Sequence, residues 1–137
     1  MQKVLKSPDL GNFNQVICVS NTGVQEIKKN IKKLFSDCSK DDLVLLFFSG
    51  HGLKTSEHEF FLATSETCKD DNDKLVRDSA VSAEFIHIAM NSCISTQQII
   101  ILDCCFGGAF SKGFVPKGSS LSNIGFQLKG IGRVILT

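Results

Sequence analysis

Two unbroken apolar runs constrain this chain more than anything else in it: Leu43-Val44-Leu45-Leu46-Phe47-Phe48 and Ile99-Ile100-Ile101-Leu102. A strand with one wet face alternates apolar and polar residues. A run without alternation reads as a strand covered on both faces, which is the habit of parallel sheets. Each run also ends in chemistry. Ser49-Gly50-His51-Gly52 follows the first, and Asp103-Cys104-Cys105-Phe106-Gly107-Gly108 follows the second. Open α/β sheets gather their functional groups at the carboxyl ends of their strands. If the two strands are parallel neighbours, an imidazole and a thiol leave the sheet side by side.

The rest of the chain reads as strands alternating with helices. Residues 1–13, with Pro8 and Gly11, read as an irregular entry, and Val16-Ile17-Cys18-Val19 as a short strand. Thr22-Gly23-Val24-Gln25 has the form of a capping box, in which the Thr oxygen accepts from the third residue's N–H and the Gln reaches back. The helix it opens sets Val24, Ile27, Ile31, Leu34 and Phe35 on one stripe. Lys28, Lys29, Lys32 and Lys33 lie mostly off that stripe and read as a solvated face rather than a docking patch. Glu59 to Ala63 reads as a shorter strand, and 66–79 as a polar surface loop suited to movement. Ser82 is placed to cap a second helix, with Phe85, Ile86, Ala89, Met90 and Cys93 facing inward. Residues 111–130, rich in Gly, Ser and Lys with Pro116, read as a flexible loop or processing-type linker. Arg133 to Thr137 begins another strand. This order predicts an α/β fold with a mostly parallel sheet covered by helices on both faces.

Bulk properties exclude several classes. The chain has 137 residues, one domain's worth, and a formal net charge of +1. Such a balance argues against nucleic acid or an anionic membrane as partner. Trp and Tyr are absent and Phe reaches 11, so the aromatics are core-fillers with few polar handles. No apolar stretch approaches the roughly 20 residues that span a bilayer, and no secretory signal core follows Met1. A cytoplasmic location is therefore expected, and the six cysteines read as reduced thiols. There is no Cys-x-x-Cys, and adjacent Cys104 and Cys105 cannot easily turn both sulfurs onto one zinc ion, so no metal site is expected.

The two turns suit nucleophilic catalysis. A thiol attacks as thiolate, and a neighbouring imidazole generates it near neutral pH. His51 would take the proton and later protonate the leaving amine. Gly52 has no Cβ to bar substrate from its backbone, so its N–H and that of Cys105 are the natural oxyanion donors. Asp103 lies two residues before Cys105, on the same face of an extended strand. There its carboxylate would favour Lys or Arg beside the scissile bond, although it could instead bind a local backbone N–H. Cys104 alternates to the opposite face and should pack as a small apolar residue, which leaves Cys105 as the nucleophile. Cys18, Cys38, Cys68 and Cys93 read as ordinary thiols. His58 in a polar turn and His87 on a helix flank lack a glycine-lined strand end.

These motifs, together with Phe61-Leu62-Ala63-Thr64, resemble the caspase-like cysteine peptidases of family C14, especially bacterial caspase-domain proteins and metacaspases. The separation from His51 to Cys105 is 54 residues, against about 50 in caspases. The resemblance covers residues 4–137. It implies a three-layer sandwich, a catalytic dyad of His51 and Cys105, and an oxyanion hole from Gly52 and Cys105. It also implies an Asp103 that selects Arg or Lys, where caspases proper carry Gln and cut after Asp. By the same resemblance, 14–110 corresponds to a large-subunit-like part, 111–130 to the linker cleaved in many caspases, and 131–137 to the start of a small-subunit strand.

The chain departs from the pattern in places. Phe106-Gly107-Gly108 stands where metacaspases usually carry His-Ser-Gly. The chain also reads as truncated at both ends, lacking the first strand–helix pair and the last strands. Some metacaspases need calcium; Asp70, Asp71 and Asp73 could offer oxygens, yet the pattern is no calcium loop. The expected function is cysteine endopeptidase, acting on protein or peptide and needing no cofactor. The alternative is a catalytically inactive signalling or scaffolding module; fused or partner signalling domains fit either.

Overall fold

The computed structural model describes residues 1–105 and 132–136. In chain order these form α1 (Gln2–Lys6), α2 (Val24–Ser36), β1 (Leu43–Ser49), β2 (Gly52–Lys54), β3 (Phe60–Ala63), β4 (Ala80–Ser82), α3 (Ala83–Ser92), β5 (Gln97–Asp103) and β6 (Arg133–Leu136). The strands form two sheets. β1, β5 and β6 lie side by side in that order and all run parallel. β2, β3 and β4 make a small antiparallel meander. The fold is mixed α/β, with the two apolar runs as adjacent parallel strands.

One core holds these parts together. Val44 of β1 and Ile100 and Leu102 of β5 meet Ile31 and Phe35 of α2, Ile86 and Met90 of α3, and Phe60, Leu62 and Val81 of the meander. Leu46, Phe48 and Ile135 pack against the same cluster, so alternate strand residues share one covered face. The expected cover on both faces is met on this one among the described residues. The opposite face carries Leu45, Phe47, Ile99 and Ile101 half-buried, with Val134 and Leu136 exposed. No described helix is long and apolar enough to cross a membrane.

Four local expectations need correction. Residues 16–19 form no strand; they belong to neither sheet, and Ile17 and Val19 are exposed. Apolar content makes a strand only where a ladder partner takes up its backbone N–H and C=O groups. Within the supposedly irregular first 13 residues, Gln2–Lys6 forms a short helix. The mostly exposed segment 66–79 is not irregular throughout: Lys69 forms a β-bridge with Leu75, and Arg77–Ser79 forms a single 3₁₀ turn. Thr64 Oγ1 and Thr67 Oγ1 both donate to the Ser79 carbonyl at 2.9 and 2.8 Å, and Ser79 Oγ accepts from Cys68 N–H at 3.0 Å. Arg77 adds ion pairs to Glu57 and Glu59.

The fourth correction concerns the start of α2. Its stripe is as expected, with Val24, Ile31 and Phe35 buried, but the capping box does not form. Gly23 is the N-cap, and the Val24 N–H donates to Glu66 Oε2 at 3.0 Å, from 42 residues away. A Cβ on Gly23 would lie 2.1 Å from Glu66 Oε1, so only glycine lets the carboxylate come this close. A carboxylate there also complements the helix dipole. At α3 the expected cap is present: Ser82 Oγ accepts from Phe85 N–H at 3.2 Å. Lys28 and Lys32 extend over the Phe85 ring, 5.5 and 5.7 Å from its centroid, so part of the lysine face serves packing. Glu66→Ala is expected to destabilise the fold by about 1 kcal/mol, the typical value of a lost cap, with Thr22→Ala near neutral. Urea unfolding of the two variants measures the difference.

Candidate active site

The register of β1 on β5 builds the site. Pairing runs from Leu43 opposite Gln97 to Ser49 opposite Asp103. The Gly50 N–H then donates to the Asp103 carbonyl at 3.2 Å. His51 and Cys105 therefore stand equally far beyond the last paired residues. Neighbouring strands lie about 4.8 Å apart, so both segments leave the sheet at one rim. Both residues are exposed.

After the rim the chain at His51 turns into the meander. The His51 carbonyl accepts from Ala63 N–H at 2.9 Å, and further along the Thr55 N–H donates to the Glu59 carbonyl. In an antiparallel ladder, hydrogen-bonded and non-hydrogen-bonded pairs alternate. Gly52, opposite Leu62, falls on a non-hydrogen-bonded pair, so its N–H points away from β3. A Cβ on Gly52 would lie 2.1 Å from the Cys105 carbonyl oxygen and 2.8 Å from the Phe60 ring. Backbone at position 52 thus touches backbone at position 105, with Phe60 as the floor beneath. Only glycine permits that contact.

The two adjacent cysteines differ. Cys104 is half-buried and packs against the core, whereas Cys105 is exposed. Burial raises the Cys104 thiol above its ordinary value of 9.0, and the neighbouring negative charges of Cys105 and Asp103 push the same way. Cys104 is therefore held as a neutral thiol near pH 7. Asp103 is exposed, and its Oδ2 accepts from Ser49 Oγ at 3.0 Å across the strand pair. Asp103 thus binds a side-chain hydroxyl, where the sequence suggested a local N–H as the alternative. Ser49 is the neighbour that sequence reasoning passed over. The legible signal was that the two apolar runs end at matching positions.

The other candidates lie elsewhere. His58 has a left-handed backbone, and its Nδ1 contacts the Ser56 carbonyl at 3.0 Å within the turn joining β2 to β3. His87 is buried on α3 rather than on its flank. Asp70 Oδ1 accepts from the N–H groups of Asn72 and Lys74, and Asp73 pairs with Lys69. Among the described residues no three His, Cys, Asp or Glu side chains group to hold a metal. Phe106, Gly107, Gly108 and the segment 111–130 lie outside the described residues.

A parallel strand pair that delivers a histidine turn and a cysteine turn to one rim, with an antiparallel meander beside it, defines a mixed α/β protein. A family model, the caspase domain of peptidase family C14, matches residues 1–127, and the chain belongs to that family. Membership implies a cysteine peptidase acting on protein. No curated protein and no solved structure gives a significant match.

Two outcomes are expected from this geometry. Gly52→Ala should part the 52 and 105 segments and reduce alkylation of Cys105 by substrate-like electrophiles at least tenfold, as read by rate measurements on folded protein. Iodoacetamide should modify Cys105 well before Cys104. Because burial raises the Cys104 pKa, its alkylation at a given pH should lag that of an ordinary exposed thiol and should accelerate near neutrality once urea removes its burial. Peptide mass mapping against pH and time follows both thiols.

Proposed function

We propose that this chain is a cysteine endopeptidase that cleaves after Arg or Lys, with His51 and Cys105 as its catalytic dyad. The contact of Gly52 with Cys105, where two in-register parallel strands end, is the observation that carries this reading. His51 takes the proton from Cys105 Sγ, and the thiolate attacks the scissile carbonyl. The N–H groups of Gly52 and Cys105 receive the developing oxyanion. His51 then protonates the departing amine, which leaves an acyl-thioester on Cys105. Water, deprotonated by His51, releases the acid and restores the thiol. Asp103, steadied by Ser49, supplies the negative charge that favours a basic side chain on the substrate.

The proposal also assigns 14–110 to the large-subunit-like part, 111–130 to the linker, and 131–137 to the first small-subunit strand. In that assignment the sheet face carrying Leu45, Phe47, Ile99 and Ile101 belongs under a further helical layer, completing a three-layer sandwich.

An Arg-containing acyloxymethyl ketone probe tests the mechanism. Labelling is expected on Cys105, absent in Cys105→Ala and retained in Cys104→Ala. His51→Ala should slow labelling by about 10²-fold or more, the usual contribution of a positioned base. Asp103→Asn should weaken the preference for an Arg probe over an Asp probe. Folded protein that no probe labels would refute the peptidase reading and favour a non-catalytic scaffold.

A further inference from the structure

Away from the site, two other cysteines face each other. Cys38 follows the C-terminal end of α2, and Cys93 caps the C-terminal end of α3. Their Sγ atoms lie 3.1 Å apart across 55 residues of sequence. The surroundings hold them there. Ser95 Oγ donates to the Asp42 carbonyl at 2.6 Å, joining the segment before β1 to the segment before β5. Gln98 Nε2 donates to the carbonyls of Met90 and Ser95, at 3.2 and 2.9 Å. Cys38 Sγ also donates to the Phe35 carbonyl at 3.4 Å. Both residues are half-buried rather than sealed in the core.

Two thiols cannot fill a tetrahedral zinc site, and among the described residues no third ligand stands beside them. An S–S bond is about 2.05 Å long, so an approach of about 1 Å would close one. We propose that Cys38 and Cys93 are a reversible disulfide site, oxidised by exchange with a low-molecular-mass disulfide of the glutathione type. One protein thiolate attacks a sulfur of the small disulfide and expels one small thiolate. The second protein thiolate then attacks the protein-bound sulfur of this mixed disulfide and expels the other. Two S–H bonds become one S–S bond, the small disulfide is reduced to two thiols, and the two protons pass to them. The bond staples α2 to α3 at the start of β1 and β5, the opposite end of the sheet from His51 and Cys105, and does not depend on the peptidase reading.

The test treats the full chain with oxidised glutathione, alkylates remaining thiols, and maps peptides by mass. The expected product is a peptide pair linked through Cys38 and Cys93, lighter by two hydrogens, carrying no glutathione, and reopened by dithiothreitol. Oxidation should raise Tm by roughly 10 °C, given the usual stabilisation by a cross-link closing a loop of this length. Cys38→Ser and Cys93→Ser should each abolish the shift. Stable glutathione adducts on Cys38 or Cys93, or a link from either to another cysteine, would overturn the proposal. So would the absence of any product at this pair in folded wild-type protein, an outcome that needs no variant to fold.

Discussion

Everything at the candidate site depends on the register of β1 against β5. With Leu43 opposite Gln97 and Ser49 opposite Asp103, seven residue pairs bring the two turns to the same height. The side-chain period of a strand is two, so a slip of one residue in β5 would exchange its faces. Ile100 and Leu102 would leave the core, Cys104 would rotate out, and Asp103 would lose Ser49. The apolar face therefore restricts the register: burial of Val44, Ile100 and Leu102 against α2 and α3 excludes a one-residue slip that would misalign the turns.

The same arrangement divides labour between adjacent cysteines. Cys104 closes the core edge and is kept protonated by burial and by the charges beside it. Cys105, one residue on, lies at the open rim where its backbone meets Gly52. Identical side chains thus acquire different surroundings from a single alternation along the chain. The small meander contributes the second half of the rim. Its ladder with β3 anchors the His51 carbonyl and directs the Gly52 N–H outward.

The opposite end of the sheet is built for cohesion. There Ser95, Gln98 and Asp42 join the connections that feed β1 and β5, and the thiols of Cys38 and Cys93 meet. Strand starts carry the mechanical ties and strand ends carry the candidate site. A change in cross-linking at one end would alter how firmly the scaffold holds without touching the residues at the other.

What the sequence by itself determined was whatever repeats over short distances. The unbroken runs 43–48 and 99–102 declared parallel strands, the stripe from Val24 to Phe35 declared an amphipathic helix, and Ser82 declared the cap of α3. The runs put His51 and Cys105 just beyond the ends of two neighbouring strands, and alternation separated Cys104 from Asp103. Tertiary structure decided what depends on partners distant in sequence. Glu66 took the capping role that Thr22-Gly23-Val24-Gln25 advertised, because a carboxylate 42 residues away could reach an N–H that glycine left open. Residues 16–19 stayed irregular because apolar residues without a ladder partner gain nothing from extending. β2 and β4, three residues each, are too short to show a period and exist only through pairing with β3. The Ser49–Asp103 bond, the Gly52–Cys105 contact and the Cys38–Cys93 approach all follow from register and packing. A local pattern states which face a residue prefers, and only the folded chain supplies what it meets there.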